Sequence, residues 1–267
     1  MPALFDDELF RAIAAFTRAA GDIALGFFEA GQQTSASIEY KAGNSPVTLA
    51  DKRADDFLRQ HLGALLPWAG WLSEETADSS ARLSAERVFI VDPIDGTRAF
   101  ISGDPRWAVS VALVERGVPV MAVLHAPALG ETFTAVRGHG AWLNNAMIRS
   151  SPRAKLAGGR IAGPKPFADR LHQHGLRFEP VPKIPSLALR FAEVAAGRLD
   201  AAFASTNSHE WDIAAADLIL HEAGASLLDR DGAVLAYNRP SPQHGMLFAA
   251  PAALAGGFAA LARQAGA

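Results

Sequence analysis

One stretch decides how the rest of the chain is interpreted: Val91-Asp92-Pro93-Ile94-Asp95-Gly96-Thr97. The apolar residues before it predict a buried strand that ends at Asp92, three residues before a second carboxylate at Asp95. Gly96 would let the backbone approach a ligand closely, and a short helix starting there would turn the N–H groups of Gly96 and Thr97 towards an anion. Carboxylates beside anion-binding amides fit metal-assisted phosphoryl chemistry. A solvated turn is the alternative, because Asp, Pro and Gly all favour turns.

Three further acidic segments lie on either side of this stretch. Asp212 follows Glu210-Trp211, and Asp51 follows Val47-Thr48; each opens a predicted helix, where a carboxylate is favoured as a cap and by the helix dipole. Glu74 and Glu75 are adjacent acids, which repel each other unless a cation lies nearby. Taken singly, these segments predict two helix caps and an exposed acidic loop, so any shared site depends on their joint arrangement.

Hydrophobic spacing predicts a mixture of helices and strands in both halves of the chain. Helices are expected from residue 9 to near Gly31, from Asp51 to Pro67, and over 187–196 and 213–223, and residues 44–46 are expected to form a turn. Strands are expected at 38–41, 88–91, 107–114, 118–124, 132–136, 141–143 and 199–204, and a hairpin around 229–232. We expect one compact unit with an N-terminal α+β half, residues 1–149, and a C-terminal α/β half, residues 150–267.

Composition excludes several classes of protein. The 267 residues are 49% hydrophobic and 20% charged, carry a formal net charge of −3 and contain no run of Lys and Arg, so a nucleic-acid polymer is not an expected partner. Without cysteine there is no disulfide, thiolate zinc site or Cys nucleophile, which fits a cytoplasmic location. The uncharged stretch 245–262 is interrupted by Pro251 and the pair Gly256-Gly257, so a buried strand and a small-residue helix are expected there rather than a membrane span.

Together, these motifs resemble the inositol monophosphatase superfamily, which includes inositol monophosphatases, 3′(2′),5′-bisphosphate nucleotidases and histidinol-phosphatases. The resemblance covers nearly the whole chain. The family's Asp-Pro-(Ile/Leu)-Asp-Gly-Thr pattern stands at 92–97, its Trp-Asp-x-Ala-Ala at 211–215 and its Glu-Ala-Gly at 222–224. Its Val-Thr-x-x-Asp stands at 47–51, and its Gly-Glu-Glu is altered to Ser73-Glu74-Glu75.

The resemblance implies a layered αβαβα sandwich and a role for each matching residue. The implied metal ligands are four carboxylates and one carbonyl oxygen, those of Glu74, Asp92, Asp95, Asp212 and Ile94. The backbone N–H groups of Gly96 and Thr97 would hold the phosphate, with Asp95 and Asp212 beside it. Thr97, paired with Asp51, and Glu74 would orient the attacking water, and Lys41 matches a basic residue near the phosphate entrance.

The implied activity is hydrolysis of a small phosphorylated metabolite by water activated with two or three Mg²⁺ ions. Oxygen-only ligands favour Mg²⁺ over zinc, with Mn²⁺ as a plausible substitute. Lithium sensitivity and a homodimer are implied by the resemblance alone. Ser205 stands where animal inositol monophosphatases carry a Glu that contacts inositol, so a bisphosphate nucleotidase or a histidinol-phosphatase is an alternative. A metal-binding regulator without turnover is the rival class.

Overall fold

The computed structural model describes residues 6–264. Its α-helices are α1 (Asp7–Leu25), α2 (Leu49–Leu65), α3 (Thr97–Ile101), α4 (Lys165–Gln173), α5 (Leu187–Ala195), α6 (Glu210–Glu222) and α7 (Ala252–Gln264). Its strands are β1 (Ile38–Lys41), β2 (Ser45–Thr48), β3 (Gly70–Ser73), β4 (Arg87–Asp95), β5 (Ala108–Glu115), β6 (Val118–Ala126), β7 (Glu131–Val136), β8 (Ala141–Leu143), β9 (Ala146–Ile148), β10 (Arg160–Ala162), β11 (Glu179–Pro180), β12 (Ala201–Ala204), β13 (Ser208–His209), β14 (Ala225–Asp229), β15 (Gln243–His244) and β16 (Leu247–Pro251).

The first two helices begin at side-chain caps. The Asp6 carboxylate accepts a hydrogen bond from the N–H of Leu9 at the start of α1. At α2, the Thr48 hydroxyl accepts from the N–H of Asp51 while the Asp51 carboxylate accepts from the N–H of Thr48, which is a reciprocal capping box. Each helix buries one apolar face, so local sequence and packing favour the same conformation.

A seven-stranded sheet fills the first half, in the order β3-β4-β5-β6-β7-β8-β9. Strands β3 and β4 run parallel, and every later neighbour is antiparallel. The predicted hairpin is present as β5 and β6, turning through Arg116 and Gly117, both at positive φ. The edge strand β3 ends at Ser73, which pairs with Val91 of β4, so the residues that follow lie beside the end of β4.

A five-stranded sheet forms the second half, in the order β11-β10-β12-β16-β14. The pairs β10–β11 and β10–β12 are parallel, whereas β16 is antiparallel to both β12 and β14. Two small ribbons, β1–β2 and β13–β15, complete the described strands. The second ribbon immediately precedes α6, and it therefore sets where that helix begins.

Five layers follow from the packing. Helices α1 and α2 cover one face of the large sheet through a cluster that includes Ile13, Leu58 and Val111. Helices α5 and α6 fill the space between the two sheets in the largest apolar cluster. Helices α4 and α7 cover the outer face of the small sheet, around Phe203 and Phe258. The αβαβα sandwich is confirmed, whereas the division of the chain at residue 149 stays a prediction.

Four local expectations need correction, and the first is the end of α1, which lies at Leu25 and not near Gly31. Strand β4 does not end at Asp92 but continues to Asp95 across a bulge, in which Asp92 pairs with Ser110 and Asp95 with Ala108. Ser45 belongs to β2 instead of a turn. Around 229–232 the expected hairpin is reduced to the single bridge Leu228–Val234, across a tight turn in which the Asp229 carboxylate accepts the N–H groups of residues 231 and 233.

Among residues 6–264, no helix is both long enough and apolar enough to cross a bilayer. The predicted strand and helix within 245–262 are present as β16 and α7, and β16 is buried along its whole length. This explains the absence of charge in that stretch, because β16 lies in the middle of the second sheet between β12 and β14.

Candidate metal-dependent active site

The bulge in β4 places two carboxylates at the same end of one strand. It inserts one extra residue between Asp92 and Asp95, and Pro93 within it needs no hydrogen-bond partner for its nitrogen. The Asp92 carboxylate accepts the N–H of Ile94, which holds the irregular backbone. Both carboxylates are buried, with exposed fractions of 1% and 6%.

Gly96 turns the chain from β4 into α3. Its φ of 95° lies in the left-handed region, where a side chain is rarely tolerated. A Cβ at this position would also lie 3.3 Å from the backbone nitrogen of Ser186. The glycine is therefore needed both for conformation and for close packing, and it leaves the first amides of α3 without carbonyl partners inside the helix.

Helix α6 supplies the third carboxylate. Asp212 is the third residue of the helix, and its carboxylate accepts the N–H of His209, the residue that caps the helix, at 2.7 Å. The rings of His209 and Trp211 stack with centroids 4.6 Å apart and planes 1° apart. Asp212 lies in the first turn as expected, but the N-cap is His209, and the Asp212 carboxylate takes the third position of a capping box, beside the end of β4.

The three carboxylates from the two halves converge. One carboxylate oxygen each from Asp92, Asp95 and Asp212 lies within 4.8 Å of the others. They line a cavity of about 750 Å³ together with Glu74, Gly96 and Thr97 and with rim residues of both halves: Gly43, Ser45, Pro46, Arg98, Ala99, Lys183, Pro185, Asn207, His209, Trp211 and Gln243. The cavity joins most of the predicted site residues; the exceptions are Lys41, Asp51 and Ile94, which do not line it.

Glu74 lines the cavity, and Lys41, which does not, pairs with it. The Lys41 ammonium donates to the carboxylates of Glu74 at 3.1 Å and Glu75 at 2.8 Å. Lys41 is therefore the cation that offsets the repulsion between the adjacent carboxylates of Glu74 and Glu75. The N–H of Glu74 donates to the carbonyl of Val91, which fixes this residue beside β4.

Burial raises the pKa of Asp92, Asp95 and Asp212, and repulsion by neighbouring carboxylates adds to this for Asp92 and Asp212. The pKa of Asp92 lies well above its ordinary value, first because of burial and then because of Glu74 and Asp95. Burial and Asp95 likewise raise the pKa of Asp212. Such a cluster is costly without a compensating positive charge, and divalent cations with oxygen ligands supply that charge.

Asp51 links α2 to the start of α3. The hydroxyl of Thr97 lies 3.2 Å from one Asp51 carboxylate oxygen and 3.1 Å from the carbonyl of Ile94. The other Asp51 oxygen accepts from the N–H and hydroxyl of Thr48, at 2.8 and 2.5 Å. Burial raises the pKa of Asp51 to about 6. The capping box thus aims one free carboxylate oxygen at Thr97.

Two residues at the start of α5 hold Asp95 and were missed in the sequence. The hydroxyl of Ser186 donates to one Asp95 carboxylate oxygen, and the N–H of Ala188 donates to the same oxygen at 2.7 Å. The only available signal was the Pro-Ser-Leu pattern before a predicted helix, which is an ordinary N-cap signal. Ser186 does cap α5, and the same hydroxyl positions a carboxylate 91 residues earlier in the chain.

Arg190 supports this arrangement from within the fold. Its guanidinium donates twice to the carbonyl of Ile184, at 3.2 and 2.7 Å, and once to the carbonyl of Phe203 at 3.2 Å. It thereby joins the segment before α5 to β12. Its charge also lowers the pKa of Asp95, against the larger effect of burial, so it partly compensates the charge of that carboxylate.

The comparisons with known proteins agree with this geometry. The model of the inositol monophosphatase family matches residues 6–267. An inositol-1-monophosphatase of Mesorhizobium japonicum is 36% identical over 211 residues, which are 76% of this chain and 79% of that protein. The 3′(2′),5′-bisphosphate nucleotidase CysQ of Aggregatibacter actinomycetemcomitans is 32% identical over 78% of this chain and 80% of that protein. A solved IMPase of Thermotoga maritima gives a TM-score of 0.81 at 28% identity, covering 97% of this chain and 98% of that one. The chain therefore belongs to the inositol monophosphatase family.

Proposed function

We propose that this chain hydrolyses a small phosphate monoester in a Mg²⁺-dependent reaction at the cavity between its two halves. The observation that carries the proposal is the convergence of Asp92, Asp95 and Asp212 within 4.8 Å. The cavity has carboxylate oxygens at its centre that could bind a metal ion, the first residues of α3 at one wall, and enough room for a small metabolite. The family relationship supports a phosphatase in particular.

The residues present fit magnesium. The proposed ligands are four carboxylates and the carbonyl of Ile94, which are the hard oxygen ligands that Mg²⁺ prefers, and among the described residues that line the cavity there is no thiolate or pair of imidazoles. Glu74, Asp92, Asp95 and Asp212 would hold two or three ions, with Mn²⁺ as a substitute. When bound, such ions lower the pKa of water and neutralise phosphate oxygens.

The phosphate would be held by backbone amides at the start of α3. The N–H groups of Gly96 and Thr97 face away from the carbonyl ladder of the helix and suit the oxygens of an anion. The absence of a side chain at Gly96 allows the phosphate to approach the backbone directly. Binding through amides adds no further charge to a centre that is already crowded with carboxylates.

A water molecule would be oriented by the pair of Thr97 and Asp51, together with Glu74. The Thr97 hydroxyl, which donates towards Asp51 Oδ1 at 3.2 Å, has oxygen lone pairs free to accept a hydrogen bond from water. Asp51 is itself held in place, because its second oxygen accepts from the N–H and the hydroxyl of Thr48. The Lys41 ammonium holds the Glu74 carboxylate, and its predicted contact with the phosphate stays a prediction.

A second candidate substrate class is a bisphosphate, and the rim of the cavity favours it. Arg98 and Lys183 both line the cavity, and neither pairs with a carboxylate of the described residues. The guanidinium of Arg98 donates to the carbonyl of Asn44 at 3.0 Å, which restrains it at the entrance. A second phosphate would meet both cations, whereas a neutral polyol would not use them. Ser205 does not line the cavity, which is consistent with the absence of an inositol contact there.

Phosphate release from a substrate panel tests the proposal. The panel contains inositol 1-phosphate, adenosine 3′,5′-bisphosphate, histidinol phosphate and fructose 1,6-bisphosphate, each with and without Mg²⁺. We expect metal-dependent release from one or more of them, and a preference for the bisphosphates if the rim cations act as proposed. Saturable metal binding without release from any compound would favour the regulator without turnover.

Oligomeric state and location stay predictions of the sequence. A homodimer is proposed from family membership, and light scattering of the purified chain would measure it. A cytoplasmic location is proposed from the cysteine-free composition, and cell fractionation would measure that.

A further inference from the structure

A cluster of charged and polar groups around one buried arginine, outside the cavity, joins the segment that follows Glu74 to the helix that carries Asp212. Its centre is Arg82, which is 3% exposed and lies in the single 3₁₀ turn after the acidic loop. The Arg82 guanidinium donates two hydrogen bonds to the Asp78 carboxylate, at 2.6 and 2.8 Å. The proposed mechanism uses neither residue.

The same guanidinium reaches across to the C-terminal half. It donates to the side-chain oxygen of Asn238 at 2.8 Å and to the carbonyl of Arg239 at 3.0 Å. The Asn238 amide nitrogen donates back to the carbonyl of Arg82 at 3.0 Å. Asn238 has a φ of 57°, so it holds a conformation that few residues other than glycine adopt readily. Arg82 and Asn238 therefore form a reciprocal pair between the halves.

The backbone of residues 238 and 239 is hydrogen-bonded to the first residue of α6. Glu210, the first residue of the helix, is fully buried, and its two carboxylate oxygens accept the N–H groups of Asn238 at 2.7 Å and Arg239 at 2.9 Å. Asp212 lies two residues further along the same turn of the helix. The position of residues 238–239 thus fixes the first turn of α6.

On the side of the first half, Arg82 packs against strand β3. A Cβ on Gly70 would lie 3.0 Å from the Arg82 Cβ, so the backbone of Arg82 packs directly on the first residue of that strand. Glu74 follows β3 immediately and is anchored to Val91 of β4. The chain between Glu74 and Arg82 is therefore held at both ends.

We propose that Arg82 and Asn238 are positioning residues that set the separation between Glu74 and Asp212, the proposed metal ligands contributed from opposite sides of the cavity. The inference rests on the proposed metal site. Loss of the pair would let the first turn of α6 shift relative to β3 while both ligands remain present. The expected consequence is weaker metal binding, of the size seen when residues behind metal ligands are changed, roughly tenfold.

Two variants separate positioning from simple electrostatics. Arg82→Met removes a positive charge near the site, which by Coulomb attraction alone would strengthen cation binding, whereas loss of positioning weakens it. Asn238→Gly changes no charge and tolerates the positive φ, so it deletes only the side-chain contacts with Arg82. Both variants should therefore weaken binding, against the electrostatic expectation for the first.

A matched control lies at the far end of α6. Glu222, the last residue of the helix, accepts the N–H groups of Gly138 and Gly140, each at 2.9 Å, so it anchors the end of α6 through two backbone amides, as Glu210 anchors its start through those of residues 238 and 239. Glu222→Gln weakens an anchor of the same kind without touching the first turn. It should lower thermal stability but leave metal affinity within about twofold, because Asp212 keeps its position.

The experiment is titration of Mn²⁺, followed by electron paramagnetic resonance of the free ion, on the whole chain and the three variants, beside their thermal unfolding curves. We expect dissociation constants raised roughly tenfold in R82M and N238G and unchanged in E222Q. Unchanged or tighter binding in the folded forms of R82M and N238G would overturn the inference, as would equal weakening in E222Q. If the unaltered chain binds no Mn²⁺, the proposed metal site itself is wrong, and this inference fails with it.

Discussion

Asp95→Asn replaces one buried carboxylate with a group of nearly the same shape. The amide oxygen of Asn can still accept from Ser186 and from the N–H of Ala188, so the start of α5 should keep its anchor. The amide nitrogen that takes the other position cannot bind a cation. The variant also removes a negative charge from a buried cluster whose members raise each other's pKa. Without metal, we therefore expect D95N to be at least as stable as the unaltered chain.

With magnesium bound, the unaltered chain should be more stable than D95N. A ligand that binds only the folded state at one hundred times its dissociation constant adds about 2.7 kcal/mol to the free energy of unfolding. For a chain of this size, that corresponds to an increase of about 5–10 °C in Tm. The unaltered chain should show this increase, and D95N should show little or none. Turnover should fall by about 10³, because losing a metal ligand removes several kcal/mol of transition-state stabilisation.

The assay pairs thermal unfolding in EDTA and in saturating MgCl₂ with phosphate release. A D95N variant that gained the same Tm with Mg²⁺, or that kept more than about a tenth of the turnover, would refute the ligand assignment for Asp95. A D95N variant that was unfolded in EDTA would instead refute the claim that the carboxylate cluster opposes folding in the absence of metal.

Three further outcomes are expected. Ser186→Ala should cost about 1 kcal/mol of stability and weaken Mg²⁺ binding roughly tenfold in calorimetry, since Asp95 loses one of its donors; unchanged affinity would contradict this. Burial raises the pKa of Asp217, which accepts from the Tyr237 hydroxyl at 2.8 Å, to about 6. The folded state thus binds this proton more tightly than the unfolded state, and its contribution to stability is lost as pH rises from about 4 to about 6. Asp217→Asn should therefore gain roughly 1–3 kcal/mol relative to the unaltered chain at pH 7.5 and little at pH 4, measured by urea unfolding; an equal difference at both pH values would argue against it. Finally, lithium should inhibit phosphate release with Mg²⁺ present, as the family resemblance implies, and full activity at high lithium would speak against that.

The layered fold could be predicted because its signals are local or belong to a shared motif pattern. The hairpin β5–β6 and helices α1 and α2 follow from hydrophobic spacing, and the segment 92–97 pointed to the family that the comparisons show. The bulge that carries Asp95 was not predicted, because a run of apolar residues says where a strand lies and not how its register shifts.

The partners of the site residues could not be predicted, because they are distant in sequence. Ser186 looked like an ordinary helix cap, and nothing near Asp95 indicates that it donates there. Arg82 and Asn238 are 156 residues apart. Each is unremarkable in its own neighbourhood, and only the packing of the two sheets around α6 brings them together.

The division of the proposed ligands between the two halves of the chain has a consequence for its synthesis. Glu74, Asp92 and Asp95 leave the ribosome well before Asp212, so a nascent chain would hold an incomplete set of the proposed ligands until α6 has been made and has docked. The chain would then bind its ions fully only after both halves have been synthesised and have packed together. In a cell depleted of magnesium, we expect completed chains to lack the stabilisation that the proposed ions would supply and therefore to be degraded faster. The supply of a common cation would thereby influence the abundance of this protein as well as its rate of turnover.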